Sequence, residues 1–219
     1  AEQYLALNKY GIKTPKTFVV SGKEFIRKVV KKFDNNPFIL KPNRGGKGIG
    51  VQLFKSINRL EEVLNNDWNE LSLDGITLVQ EYIEPRDGCI VRVEFIGGEY
   101  YYAVRVDASD GFELCPADDC HVEDVFCPTT ENVSSKKEKF EIIKNYNNPD
   151  LDKYKAFLKN SGMEIAAIEY VENKNREKYV YDVNVNTNYN SLAEKKHGEE
   201  LSGMRQIALF LGEEIKRIQ

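Results

Sequence analysis

Three groups of residues have the types and spacing to do chemistry on a charged ligand. The first is the run Phe38-Ile39-Leu40-Lys41-Pro42-Asn43-Arg44-Gly45-Gly46-Lys47-Gly48-Ile49-Gly50, an apolar strand ending in a lysine and a glycine loop. Glycines admit unusual dihedrals and carry no Cβ, so Gly45, Gly46, Gly48 and Gly50 let the backbone approach a ligand closely. Bare N–H groups and the point charge of Lys41 suit phosphate oxygens, so these residues are candidate polyphosphate contacts. No Gly-Lys-Ser/Thr follows at the spacing of a Walker A loop. The glycines do not open a helix as in a dinucleotide fingerprint. Val51-Gln52-Leu53-Phe54 instead reads as a second strand, giving a flap that folds over a nucleotide. The bland alternative is a hairpin with a glycine-rich turn, its Arg44 and Lys47 simply solvated.

The second group, Gln80-Glu81-Tyr82-Ile83, ends a strand that begins near Gly75. A strand end leaves backbone N–H and C=O groups unpaired beside an apolar wall, which suits the edge of an adenine. Glu84 or Asp87, just beyond, could accept from ribose hydroxyls, against the null of an amphipathic edge strand with exposed acids. The third group is Ala166-Ala167-Ile168-Glu169 with Tyr181-Asp182-Val183-Asn184-Val185-Asn186. Strand alternation puts Asp182, Asn184 and Asn186 on one face, and a partner strand could set Glu169 opposite Asp182. Glu169, Asp182 and Asn184 are hard oxygen ligands suited to Mg²⁺. A merely polar hairpin face is disfavoured, because Asn is depleted in strands.

Two weaker features complete the inventory. Arg92 and Arg105 could neutralise a transferring phosphoryl group or a carboxylate, against a default of surface salt bridges. Cys115, Cys120, His121 and Cys127 share one loop and could bind zinc, but their spacing fits no common zinc module, and free thiols are the favoured reading.

The elements that must position these groups follow from the periodicity. Residues 1–10 have helical spacing closed by Gly11, and Thr17-Phe18-Val19-Val20 is a strand. Ser21 with Glu24 reads as a capping box for a helix to Phe33. Ser56 caps a helix through Leu64, and Ile90–Ile96 and Glu99–Asp107 form a hairpin about Gly97-Gly98. Residues 108–135 read as irregular, 136–162 as helical with a break at Asn147-Asn148-Pro149, and Glu164–Val171 with Lys178–Val185 as a second hairpin. A terminal amphipathic helix spans Glu199–Ile218. The 219 residues, 41% hydrophobic and 30% charged, suit an α+β protein of two lobes, expected at 1–78 and 79–219. A net charge of −4 predicts no nucleic-acid partner. The lack of a long apolar run predicts no membrane partner. Four cysteines in this length predict reduced thiols and a cytoplasmic setting. The helical first residues, with no Met or cap before them, predict a piece of something longer.

In this order and spacing, Ile39-Leu40-Lys41-Pro42 with the glycine loop, Gln80-Glu81-Tyr82-Ile83, Gly88-Cys89 with Arg92, Gly162–Glu169 and Asp182-Val183-Asn184 resemble the ATP-grasp proteins. The chain is most similar to the RimK-type carboxylate–amine ligases, over essentially its whole length. The resemblance implies two α+β lobes with antiparallel sheets clamping ATP, and two Mg²⁺ ions held by Glu169, Asp182 and Asn184. It also implies phosphates on Lys41 and the glycine loop, an adenine hinge at Gln80, Glu81, Tyr82, Ile83 and Glu84, and Arg92 with Arg105 steadying the reacting groups. The implied reaction joins a small-molecule or peptide carboxylate to an amine through an acylphosphate, releasing ADP and phosphate. A homo-oligomer is left open. Departures are visible: Glu169 and Asp182 exchange the usual acids, Ile90 replaces the acid of an Asp-x-Arg pattern, and Thr187-Asn188 stands for Pro-Gly. An N-terminal α/β domain and a lysine before the first helix, which the family uses to hold ATP, do not precede this sequence. The alternatives are a non-catalytic nucleotide-binding module of a larger protein, and a bicarbonate-type acceptor as in carbamoyl-phosphate synthases or carboxylases.

Overall fold

The strand Phe38–Pro42 (β2) organises the first half of the chain, because its alternate side chains serve two different surfaces. A computed structural model of the protein describes residues 1–45, 48, 50–66, 72–109, 139–198 and 201–219. In it β2 is flanked by Gln52–Phe54 (β3) and Thr77–Glu81 (β4), and β4 by Thr17–Val20 (β1), giving an antiparallel sheet in the order β1-β4-β2-β3. Phe38 and Leu40 point to the core under the helices Lys23–Val30 (α2) and Ile57–Asn66 (α3), with Ile26, Val30, Leu60, Leu64 and Val79. Phe33, Phe38 and Phe54 stack in series at centroid spacings of 5.9 and 5.6 Å. The other face carries Ile39, Lys41, Leu53, Leu78 and Gln80, by the register Ile39↔Gln80, Ile39↔Leu53 and Lys41↔Leu78.

The second sheet has the order β7-β6-β5-β8-β9, also antiparallel. Its strands are Cys89–Ile96 (β5), Glu99–Asp107 (β6), Phe140–Ile142 (β7), Ile165–Glu172 (β8) and Lys178–Asn184 (β9). Gly97 and Gly98 turn β5 into β6 with φ of 65° and 74°, the positive angles that a two-residue hairpin loop needs. One face packs on Glu2–Lys9 (α1) and Leu151–Asn160 (α4), where Leu7, Tyr154, Phe157 and Leu158 meet Val93, Phe95, Ala166 and Ile168. The opposite face carries Ile90, Tyr102, Val104 and Val106, with Ala193 of Ser191–His197 (α5) packed against them. Gly203–Ile218 (α6) closes the chain, its Ser202 side chain accepting from the Arg205 N–H. No helix among the described residues is long and apolar enough to cross a membrane.

Several sequence expectations differ from this architecture. The Ser21/Glu24 capping box does not form: Gly22 is the N-cap of α2, without a side-chain cap. Part of the stretch read as helical before Asn147 is β7, a three-residue edge strand pairing Glu141 with Arg105. α5 was not foreseen, and α6 begins at Gly203 rather than Glu199. The lobe boundary expected at 78/79 falls inside β4, all of which pairs within the first sheet. α1, expected in the first lobe, belongs to the second: Leu7 and Ile12 lie in its core, and the Tyr4 hydroxyl donates to the Tyr181 carbonyl at 2.9 Å.

Candidate functional site

Between the free face of the first sheet and the strands of the second lies a cleft of about 770 Å³. Its walls are apolar along most of their length. Ile39, Leu53 and Leu78 line it from the first sheet, Ile90 and Val171 from the second. Its polar groups gather at the β9 side, where Lys41 approaches Glu169 and Asp182. An apolar slot with a charged end is a usual form of small-molecule site.

That end is built from one rung of the second sheet. Arg92, Glu169 and Asp182 are direct partners across β5, β8 and β9. The register slips between Glu169 and Tyr170, so Tyr181 is an extra residue opposite β8. A bulge of this kind turns two consecutive side chains to one face. The Tyr181 hydroxyl therefore reaches Glu169 Oε2 at 3.0 Å while Asp182 stays in the rung. Lys41 Nζ spans the cleft to within 3.6 Å of Asp182 Oδ1 and donates to the Tyr181 carbonyl at 3.3 Å. Gln3 of α1 donates to Asp182 Oδ1 at 3.4 Å. Asn184 lies on the same face one alternation further, its Oδ1 accepting from the Asn186 N–H at 2.8 Å.

The electrostatics are those of a crowded acidic pair. Glu169 is 6% exposed, and burial, then the neighbouring Asp182, push its carboxyl above the ordinary range against the pull of Arg92, Tyr181 and Lys41. Burial works to lower the Lys41 pKa, but Asp182, Tyr4 and Glu169 together raise it above the ordinary lysine value. The ammonium thus stays charged in a nearly closed setting. Glu94, two residues past Arg92 on the same face, has a side chain with no exposure. Burial pushes it up to about 7, opposed by Arg92 and Thr187.

At the hinge the structure narrows the sequence expectation. The Glu81 and Tyr82 N–H groups are not spare: they donate to the carbonyls of Lys16 at 2.9 Å and Pro37 at 3.2 Å. Gln80 is buried and donates to Thr17 Oγ1 at 2.8 Å. The Ile83 N–H, on the cleft wall, has no partner among the described residues. Glu84 does not face the cleft; it is exposed and paired with Lys174 at 2.6 Å, which holds its carboxyl below the usual range.

In the glycine loop Gly48 and Gly50 have φ of 77° and 78°, and the Val51 N–H closes a turn on the Gly48 carbonyl. Gly45 and Gly48 line the cleft; Gly46 and Lys47 lie outside the described residues. The loop base is fixed by Asp74, which accepts from the Ser72 hydroxyl and from Asn43 Nδ2, bonds that hold its pKa at about 2. Cys115, Cys120, His121 and Cys127 also lie outside the described residues. Arg105 is not brought to the site. It pairs with Val91 in the register, so it projects from the opposite face to Arg92, and its guanidinium is 4.0 Å from Asp87. Sequence reading missed Tyr181, Gln3, Glu94 and Thr187. Only Glu94 carried a signal, as an acid alternating with Arg92 in an otherwise apolar strand.

Among known proteins, the family description RimK-like ATP-grasp domain matches residues 2–113. A probable alpha-L-glutamate ligase of Vibrio atlanticus (strain LGP32) is 30% identical over 105 residues, covering 48% of this chain and 34% of the relative. The chain thus spans about a third of the length of the curated relatives it matches. The D-cycloserine synthetase DcsG superposes with a TM-score of 0.65 at 18% identity, over 97% of this chain and 69% of that one. A RiPP-associated ATP-grasp ligase of Chryseobacterium gregarium, solved with ADP and a leader and core peptide, gives a TM-score of 0.64 at 18% identity, over 97% and 59%. The α+β ATP-grasp fold expected from the motifs is the fold these structures share with the chain. With the match running through the glycine loop, the hinge and the first hairpin, over half of its residues, the chain belongs to the RimK-like ATP-grasp domain family.

Proposed function

We propose that the chain forms the ATP- and Mg²⁺-dependent catalytic lobes of a carboxylate–amine ligase. The observation that carries this reading is the Lys41–Asp182–Glu169 cluster at the polar end of an apolar, nucleotide-sized cleft. The adenine lies between Ile39, Leu53 and Val171, with the Ile83 N–H as its edge donor. Lys41 and the N–H groups of Gly45, Gly46, Gly48 and Gly50 meet the phosphates.

The donor set fits a hard dication. Two carboxylates share a rung, one buried and pushed toward its neutral form, and a dication relieves a repulsion that a single lysine does not. Glu169, Asp182 and Asn184 would hold Mg²⁺, which when bound neutralises charge on the β- and γ-phosphates. In the reaction a substrate carboxylate oxygen attacks the γ-phosphorus and the bond to ADP breaks, leaving an acylphosphate. An amine nitrogen then attacks the acyl carbon, loses its proton, and phosphate departs. The protein's part is orientation and charge, as phosphoryl transfer requires. Arg92, at the end of the rung, faces the side where the acylphosphate forms. The names of the relatives support an amino-acid amine such as glutamate, and the peptide-bound neighbour supports a peptide carboxylate.

Calorimetric titration of ADP and a non-hydrolysable ATP analogue, with Mg²⁺ or EDTA, tests the reading. Magnesium-dependent binding that is lost in Lys41→Ala and Asp182→Ala is expected. Equal binding by those variants would refute the site. ADP release that requires both a carboxylate and an amine separates a ligase from a binding module.

A further inference from the structure

The register places Arg92 directly opposite Glu169, the distance at which cross-strand charges pair. Yet the guanidinium is turned elsewhere. Its Nε lies 2.8 Å from Glu94 Oε1, a contact without hydrogen-bond alignment, and its Nη2 donates to the Asn188 carbonyl at 2.7 Å. No ion pair between Arg92 and Glu169 forms among the described residues. Glu94 is in turn gripped by the Thr187 hydroxyl, 2.9 Å from both carboxylate oxygens.

We propose that Glu94 is a positioning residue that draws Arg92 off Glu169 and so keeps the Glu169–Asp182 pair open to a divalent cation. The inference rests on the reading of Glu169 and Asp182 as the metal pair. One guanidinium stands within reach of two buried acids. Whichever acid holds it is lost to a cation, because an ionised carboxylate already committed to a bidentate cationic partner must give that partner up before it can ligate. A Glu at position 94 lies on the same strand and face as Arg92, so the side chains meet with no demand on the partner strands. Thr187 and Asn188, just after the metal strand β9, complete the trap from the other side. Stability alone does not account for the pair, since buried ion pairs of this kind are commonly replaced by apolar residues without loss.

The test uses Mn²⁺ as the probe, titrated into the nucleotide-free protein and followed by the electron paramagnetic resonance of free Mn²⁺. In Glu94→Leu, Arg92 falls onto Glu169, and Mn²⁺ affinity drops about tenfold or more, the scale of outer-shell changes at metal sites. In Arg92→Leu/Glu94→Leu the competitor is gone and affinity returns toward wild type. A structural role for Glu94 would leave the double variant as weak as the single one. Wild-type affinity in Glu94→Leu overturns the proposal, as does failure of the double variant to recover. If Glu94→Leu does not fold, Glu94→Gln replaces it and must show the same direction of change, reversed by Arg92→Leu. If the wild-type protein itself binds no Mn²⁺, the metal reading of Glu169 and Asp182 fails, and this inference fails with it.

Discussion

Glu169→Gln is expected to stabilise the folded protein while abolishing its metal site. Glu169 and Asp182 are partners in one rung, whose side chains stand about 5 Å apart at Cβ in an antiparallel sheet. Two unit charges at that spacing repel by about 3 kcal/mol at an effective dielectric constant of about 20. Lys41, 3.6 Å from Asp182, offsets part of this, and the 39% exposure of the Asp182 side chain screens more. A net gain of about 1–2 kcal/mol remains for the glutamine, which can still accept the Tyr181 hydroxyl bond. The pH dependence has a fixed sign. Because the folded protein holds the Glu169 pKa above its ordinary 4.5, wild-type stability falls as pH rises through that raised value. The glutamine variant should therefore exceed wild type at pH 8 and lose the advantage at pH 4. Urea unfolding in EDTA across that range measures it, and added Mg²⁺ should stabilise wild type but not the variant. A variant less stable than wild type at pH 8, or a difference that does not vary with pH, would refute the reasoning: Lys41, Arg92 and Tyr181 would then outweigh the repulsion.

Three further outcomes are expected. Ile83→Pro removes the spare hinge N–H and should weaken ADP by about tenfold, the worth of one hydrogen bond, while leaving tripolyphosphate binding unchanged in the same calorimeter. Leu158→Ala opens a cavity in the core of the second lobe, where Leu158 is fully buried, and should cost about 3–5 kcal/mol in urea unfolding. Asp74 has its folded pKa depressed to about 2, so its contribution is complete above pH 4 and lost as pH falls toward 2. The urea midpoint of Asp74→Asn should accordingly lie below wild type at pH 6 and converge with it near pH 2.

Much of the candidate site was legible in the sequence because its residues report through strand alternation. Lys41 ends an apolar run, and Asp182 and Asn184 alternate with Val183, so their shared face and the pairing with Glu169 followed from a period of two. The same rule, applied across β5 and β6, placed nothing about Arg105. Only the inter-strand register, Val91↔Arg105, reveals that it projects from the far face. Tyr181 was hidden for the opposite reason: a bulge breaks the period locally, and no residue type announces it. The hinge donors were over-counted because Lys16 and Pro37, distant in sequence from Tyr82, take up two of them. β7 was misread as helix because three residues hold too little periodicity to oppose their helical neighbours.

The capture of α1 by the second lobe has a consequence for how the chain folds. Residues 17–81 then form an insertion between α1 and β5, two elements of one hydrophobic core. Left unstructured, that insertion would impose the entropy of a long loop on the second lobe, a cost that rises with the logarithm of its length. β1 and β4 remove most of it. They are adjacent antiparallel strands with Thr17 opposite Gln80, so the inserted lobe enters and leaves its own sheet side by side. Once that sheet forms, the second lobe has to close only a gap the width of one strand pair. Early folding of the first sheet thus accelerates assembly of the second, and a substitution that loosens the β1–β4 pairing slows the docking of α1 far from where it lies.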